Sequence, residues 1–463
     1  MTRTPTLSFK SSRPKSSTSN FGICVVIPVL AVAYSAVIEP LIYFYFPPAS
    51  GLEGLLESRV ENRIFWPALA AVSIVVGARY WSRASRQTLP PNIVSLVAYL
   101  AFAGASIAWS FKPELSFIRF VQEVMILTAI VLPALVAAPT ADLMRGMFLC
   151  FAFASVVNVL LIPGGYVTLA TYGSKVTEIG YQGYFSGKNL LGEFAAIALL
   201  LSIHELFYSG YRRVLGIIIA VVAVVLLFLS SSKTALCLAL VAPVLAGFTL
   251  FVGRASRVSP AIIIISIVLC FIALSELTGF TTERLAFILT GDSSFTGRTT
   301  IWYFADMEIA RSPLVGWGYQ SFWLAGPDAP SVLDAPGWVK LMPNAHNGYY
   351  DTMLELGYIG LAFLLIFLFT TLHVIGRVAE RDRRRAWLLL SIALFIMIYN
   401  FLETLWLRAF DMSWVVFVIV AAEAARYWRP SLLKVPAHRP GPARSVSPGR
   451  SRGTWRPRLG ARS

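Results

Sequence analysis

Charge is what this chain of 463 residues has least of: 14% of its residues are Asp, Glu, Lys or Arg, against 57% hydrophobic. A soluble protein of this size carries about 25% charge, so a water-facing globule is excluded. Cysteine is scarce too. Cys24, Cys150, Cys237 and Cys270 all fall within apolar runs, with no pair at metal-ligand spacing. They read as small buried hydrophobes, which argues against structural disulfides. The chain has no Walker sequence, no dinucleotide glycine fingerprint and no His-Glu-x-x-His, so nothing points to ATP hydrolysis, zinc or any other cofactor.

Long apolar runs are what the sequence does have, such as Ile217 to Leu229 and Ala261 to Leu274. A membrane β-barrel would show weak alternating strands of about 10 residues. Continuous runs point to helices, which satisfy their own backbone hydrogen bonds in lipid. The expected fold is therefore an all-α polytopic membrane protein with about twelve transmembrane helices. The predicted spans are 21–41, 64–80, 92–110, 118–137, 144–162, 189–207, 213–230, 234–252, 260–278, 349–375, 387–402 and 410–427.

The net charge of +15 is no sign of a nucleic-acid partner, because the basic residues sit in the termini and short connections. Clusters at Lys10 to Lys15, Arg79 to Arg86, Arg212–Arg213, Arg254–Arg257, Arg377 to Arg385 and the tail after Arg429 all fall on one side if the N-terminus is cytoplasmic. That is the positive-inside rule. Both termini are then cytoplasmic, and 279–348 is one large loop on the outer face. The chain divides into a cytoplasmic segment 1–20, a transmembrane domain 21–428 and a basic tail 429–463. The tail is expected to be disordered and to lie on anionic membrane lipid. The run after residue 20 reads as a signal anchor that stays in place as the first span.

Chemistry is expected at the outer face. Arg284, Arg298 and Arg311 lie in the loop, and His346 stands at the mouth of the next span in Asn344-Ala345-His346-Asn347. Arginine clamps phosphate through a bidentate fork, and imidazole can take a proton from a sugar hydroxyl or steady a phosphate oxygen. Each arginine is equally readable as a loop ion pair, and His346 as an interfacial hydrogen bonder. Lys188 and Lys233 fall at outer span mouths. Acidic groups near the membrane are few: Glu123, Glu193, Glu355 and Glu403, all close to span ends. Within the loop, Thr299 or Thr300 is expected to cap a short helix over 301–310, ended by Pro313.

These residues resemble a known family. His346-Asn347, nine residues, then Gly357-Tyr358-Ile359-Gly360 at the head of a long span is one shared pattern. Gly297-Arg298 with Trp302 and Pro313-Leu314-Val315-Gly316-Trp317-Gly318 is another, and Gly187-Lys188-Asn189 with Leu191-Gly192 a third. Over about 180–400 the chain is similar to the O-antigen ligase and polysaccharide polymerase family, most of all its exopolysaccharide branch. The resemblance implies a metal-independent glycosyltransferase of the bacterial inner membrane, with an undecaprenyl-diphosphate-linked oligosaccharide as donor. It implies catalytic roles for His346 and Arg298, and substrate contacts from Arg284, Arg311, Lys188, Lys233 and Asn347. Where the family often has arginine, Lys233 keeps the charge and loses the fork. Polymerisation of lipid-linked repeats is the preferred reading, a copolymerase partner being left open. The alternatives are an O-antigen ligase using lipid A–core as acceptor, and a transporter or non-catalytic assembly protein.

Overall fold

Thirteen helices of 14 residues or more account for most of what the computed structural model describes. The described residues are 22–47, 59–80, 89–137, 142–172, 175–279, 284 and 297–428, with backbone alone for 168–178. In chain order the helices are α1 Ile23–Tyr45, α2 Val60–Arg79, α3 Pro91–Trp109 and α4 Pro113–Val136. There follow α5 Leu143–Leu160, α6 Lys188–Glu205, α7 Tyr211–Leu229, α8 Lys233–Ser256 and α9 Pro260–Thr278. The last four are α10 Arg298–Arg311, α11 Gly348–Val378, α12 Arg383–Tyr399 and α13 Met412–Tyr427. Twelve of them fall on the twelve predicted spans, and α10 falls in the outer loop. The terminal segments 1–20 and 429–463 lie outside the described residues.

Nine helices among the described residues are long and apolar enough to cross a membrane: α1 to α5, α7 to α9 and α11. The other three coincident helices, α6, α12 and α13, have 18, 17 and 16 residues. At 1.5 Å per residue α12 reaches only about 26 Å, short of a hydrocarbon core of about 30 Å. Their setting explains their composition. α6 packs against α5, α7, α8 and α12, and α13 against α1, α3, α4, α11 and α12. Their side chains are nearly all buried. The outer faces of α7, α8 and α9 instead expose Val221, Val244 and Leu269, as a lipid-facing surface requires.

The short inner helices carry acids that meet arginines at one end of the bundle. Glu205 accepts from Arg145 at 2.5 Å and from Arg212 at 2.7 and 2.8 Å. Arg212 also reaches Asp142 at 3.2 Å, and Arg385 reaches Asp142 at 3.4 Å while pairing with Glu423, as Arg426 does. Several of the basic residues assigned to the cytoplasm are therefore structural ion-pair partners.

The connection after α5 holds one antiparallel ribbon, β1 Val167–Tyr172 with β2 Lys175–Tyr181, within an otherwise all-α fold. Two expectations need correction. α10 begins at Arg298 with Gly297 as its N-cap (φ +84°) and no side-chain cap, so neither Thr299 nor Thr300 caps it. The cysteines form no disulfide, yet only Cys24 is buried, Cys150 and Cys237 are half-buried and Cys270 is exposed.

Candidate functional site

At the opposite end of the bundle the loops interlock through backbone. α11 is broken at Gly357 (φ +65°, ψ −169°). A Cβ there would stand 2.2 Å from the carbonyl carbon and oxygen of Leu314, and one at Gly316 would stand 2.5 Å from Glu355 carbonyl carbon. The two chains cross in direct contact, with Tyr358 N–H donating to Pro313 O at 2.8 Å, Trp317 N–H to Leu354 O at 2.8 Å and Gly318 N–H to Glu355 O at 2.8 Å. The Pro-Leu-Val-Gly-Trp-Gly and Gly-Tyr-Ile-Gly motifs are thus the two halves of one joint, where only glycine allows the approach.

The break leaves Gly348–Leu356 as a separate helical segment that carries the site. Asn347 is its N-cap, its Oδ1 accepting from Tyr349 N–H at 3.0 Å and Tyr350 N–H at 3.2 Å. Removing that oxygen from a cap typically costs about 1 kcal/mol. Asp351 accepts from Trp323 Nε1 at 2.6 Å, from Thr404 Oγ1 at 2.6 Å and from Ala345 N–H at 3.1 Å. Gly348 N–H donates to Asn400 O at 2.9 Å and Glu403 O at 3.0 Å. These bonds stitch the α12–α13 turn to the start of α11 and set Glu403 beside His346.

Glu403 is the hub. Its Oε1 accepts from Arg298 Nη2 at 2.8 Å and Asn189 Nδ2 at 3.2 Å; its Oε2 lies 3.3 Å from His346 Nδ1. Arg298, His346 and Glu403 are 15%, 31% and 20% exposed, so solvent reaches the group. Burial pushes the Glu403 carboxyl upward, but the hydrogen bond from His346, the Arg298 charge and the bond from Asn189 outweigh it and hold it below the ordinary glutamate value. The carboxylate is therefore ionised. Accepting from Nδ1–H, it leaves Nε2 of His346 with a lone pair, a tautomer inferred from the hydrogen-bond partner.

His346 itself has φ +49°, a region non-glycine residues enter at a cost of about 1–3 kcal/mol. Its N–H donates to Asn344 Oδ1 at 2.9 Å, a local turn that holds this conformation. Trp302 donates to Ala345 O at 3.0 Å and stacks on Tyr350 at 6.0 Å. The aromatic residue of α10 thus buttresses the His346 turn.

The other expected site residues are distributed unevenly. Lys188 opens α6, buried beside Asn189. A Cβ on Gly180 would be 2.4 Å from Ser230 O and 2.7 Å from Lys188 Cδ, so the ribbon, the start of α6 and the α7–α8 turn converge there. Lys233 opens α8 from that turn and is exposed. Arg284 is exposed. Arg311 lies at the far end of α10, about 20 Å from Arg298 along the helix, paired with Glu308 at 3.0 Å and Asp334 at 2.5 Å. Asn347 is occupied in capping. Glu403 is the residue the sequence showed only as an acid near a span end. The signal available was an acidic residue in the short turn between two predicted spans.

A cavity of about 710 Å³ lies at the same end, with Thr404 and Asn344 in its wall. It is therefore continuous with the backbone that carries Glu403 and His346. Arg59, Arg63, Arg119 and Arg408 also line it.

The fold and site define a multi-pass membrane protein with a polar, ionised cluster at the mouth of its helix bundle. Residues 218–365 match the family model described as O-antigen ligase. The chain is similar to the exopolysaccharide production protein ExoQ of Rhizobium meliloti (strain 1021), 28% identical over 308 residues, which are 62% of this chain and 66% of that protein. It is also similar to a provisionally named polysaccharide ligase of Rickettsia bellii (strain RML369-C), 33% identical over 113 residues, 24% of this chain and 27% of that protein. Residues 218–365 are thus similar to the O-antigen ligase family, the family the motifs resemble. The matched segment includes Arg298, His346 and Gly357 and ends before Glu403.

Proposed function

We propose that the chain polymerises polyprenyl-diphosphate-linked oligosaccharide repeats at the outer face of the bacterial inner membrane. The observation that carries this reading is the convergence of Arg298, His346 and Asn189 on one ionised carboxylate, Glu403. Its similarity to an exopolysaccharide production protein favours polymerisation over other glycan transfers.

The chemistry follows from the arrangement. Nε2 of His346 takes the proton of the acceptor hydroxyl, whose oxygen attacks the anomeric carbon of the donor. The bond from that carbon to the diphosphate oxygen breaks, and polyprenyl diphosphate leaves with the electron pair. Arg298 has donors beyond the one held by Glu403, and these meet the charge growing on the diphosphate. Lys188 and Lys233 add cations at the same corner. Glu403 fixes the imidazole and stabilises the imidazolium formed in the step.

Transfer to lipid A–core is the second reading, favoured by the matched family model. Reconstitution decides between the two. Purified protein with a single synthetic undecaprenyl-diphosphate repeat should yield a ladder of lipid-linked products, lost in Arg298→Gln. Single-block transfer only when lipid A–core is supplied would overturn polymerisation. No transfer by protein of native stability would overturn both.

A further inference from the structure

Four arginines line the cavity against two carboxylates in its wall, Glu355 and Asp411. Arg408 is paired, at 2.8 Å to Glu355 and 3.4 Å to Asp351. Three others are not paired with a carboxylate among the described residues. Arg59 donates to Phe46 O and lies 4.1 Å from the Tyr43 ring centroid, and the Glu39 carboxyl, hydrogen-bonded by Asn62, acts on its charge without a direct ion pair. Arg119 donates to Gln320 O, and the opposite charges of Arg408 and Glu355 both act on it. Arg63 extends into the opening with its side chain exposed. The acids in the wall are Glu355, held by Arg408, and Asp411, whose Oδ1 caps α13 by accepting from Trp414 N–H at 2.9 Å.

We propose that this cavity binds the diphosphate of the second lipid-linked substrate, the acceptor in polymerisation. This rests on the polymerase reading and extends it. Chain growth between two lipid-linked glycans brings two diphosphates to one face. The donor diphosphate must lie at the broken bond, beside Arg298. The acceptor's attacking hydroxyl is at the far end of its glycan from its own diphosphate, so that group needs a separate cation site within reach.

The cavity meets both demands. Thr404 and Asn344 join its wall to the reacting cluster, while Arg59, Arg63 and Arg119 lie at the starts of α2 and α4, at the bundle's outer rim. Its volume of about 710 Å³ exceeds what a diphosphate alone fills and leaves room for the first sugar. Ile118 in its wall is 52% exposed, and Ile64, next to Arg63 in sequence, is 65% exposed, an apolar surface along which a polyprenyl chain can descend. Guanidinium groups without carboxylate partners are suited to bidentate phosphate contacts. A ligase whose acceptor is not a polyprenyl diphosphate has no need of this second site.

The test is the binding stoichiometry of undecaprenyl diphosphate to the full chain in zwitterionic nanodiscs, read by native mass spectrometry. Two molecules per wild-type chain are expected, and one in both Arg63→Gln/Arg119→Gln and Arg298→Gln. Arg63→Gln alone changes an exposed residue and guards against misfolding. It should weaken one of the two sites about tenfold, and Arg119→Lys should retain part of the binding lost in Arg119→Gln. In turnover, the double variant should raise KM for the lipid-linked acceptor at least about tenfold while leaving kcat for a soluble alkyl-glycoside acceptor unchanged. One diphosphate per wild-type chain, or two in the double variant, refutes the assignment. So does selective emptying of the cavity site by an acidic oligosaccharide without diphosphate, which would make it a glycan-carboxylate site. Ladder formation with a single diphosphate site would sink this inference and leave the polymerase reading standing. Two sites without any ladder would sink the polymerase reading, and the acceptor assignment with it.

Discussion

Glu403→Gln separates a catalytic arrangement from a merely structural one. The amide keeps the size of the side chain and can still accept one hydrogen bond, but it loses the charge. In the proposed step His346 becomes imidazolium 3.3 Å from that charge. At an effective dielectric of about 20, unit charges at this separation attract by about 5 kcal/mol. The two side chains are 31% and 20% exposed, so solvent screening reduces this to about 3 kcal/mol. That is about a hundredfold in rate, within the range general-base assistance usually supplies.

The assay is single-turnover transfer from a synthetic lipid-linked repeat, with wild-type and variant compared in the same nanodiscs and thermal unfolding measured in parallel. The expected result is a loss of about a hundredfold in kcat with a smaller change in KM. A variant that melts like wild-type yet loses less than about fivefold would refute the role of the carboxylate charge. A loss confined to KM would make Glu403 a binding organiser for Arg298.

Acid should act on the same group. The Glu403 carboxyl is held below its ordinary value of 4.5, so its contribution to stability is fully present above that value and lost as pH falls through the lowered folded value. Unfolding between pH 3 and 7 should show this loss in wild-type and its absence in Glu403→Gln. Gly357→Ala forces a Cβ to 2.2 Å from the Leu314 carbonyl at a φ of +65°, and should destabilise by on the order of 3 kcal/mol or more, read as a lowered Tm and reduced yield. Arg311→Ala, far along α10 from the cluster, should leave transfer within about twofold of wild-type in the ladder assay. Glu205→Gln strands Arg145 and Arg212 at the opposite end and should cost about 3–5 kcal/mol, with the kcat of the protein that remains folded unchanged.

Most of the architecture is legible in the sequence because lipid imposes one simple requirement. Apolar runs of about 20 residues mark α1, α3 to α5, α7 to α9 and α11 clearly, and α2 more weakly. α6, α12 and α13 are marked as well, though their short length and buried acids come from being enclosed by other helices, which hydropathy does not register. Arg298 and His346 stand out through rare chemistry at a span mouth. Asn347 stands beside His346 for a local reason, helix capping, which only the backbone geometry reveals. Glu403 is hidden because its partners are 57, 105 and 214 residues away in sequence, and nothing local marks which acid near a span end will meet them. The ribbon at β1 and β2 is hidden for another reason: a two-stranded hairpin in a polar connection has no apolar run to announce it.

The two ends of the bundle divide strain and support between them. Among the described residues, five of the six non-glycine residues with positive φ, Ser231, Gln320, Leu324, His346 and Leu407, belong to the loops at the end of the bundle that holds Glu403, each conformation costing about 1–3 kcal/mol. Such conformations persist only where surrounding bonds over-determine them. Gln320 donates to the Tyr319 hydroxyl at 2.8 Å, and that hydroxyl donates to Leu407 O at 2.9 Å. Gln320 also donates directly to Leu407 O, so the two strained positions are tied both directly and through one buried tyrosine. The Tyr319 N–H in turn donates to Ser106 Oγ at 2.9 Å and its carbonyl accepts from Ser116 Oγ at 2.6 Å, which anchors the tie to α3 and α4. The opposite end holds the ion pairs of Asp142, Glu205 and Glu423, which fix the inner helices against one another. A bundle locked there can hold the loops at its other end in unfavourable backbone states, and those states aim His346 at Glu403. On this reasoning Tyr319→Phe, which removes one hydroxyl and touches neither His346 nor Glu403, should lower kcat several-fold while changing Tm by only a few degrees. An unchanged kcat would mean that the direct bond from Gln320 to Leu407 O holds the strained loops without the tyrosine hydroxyl.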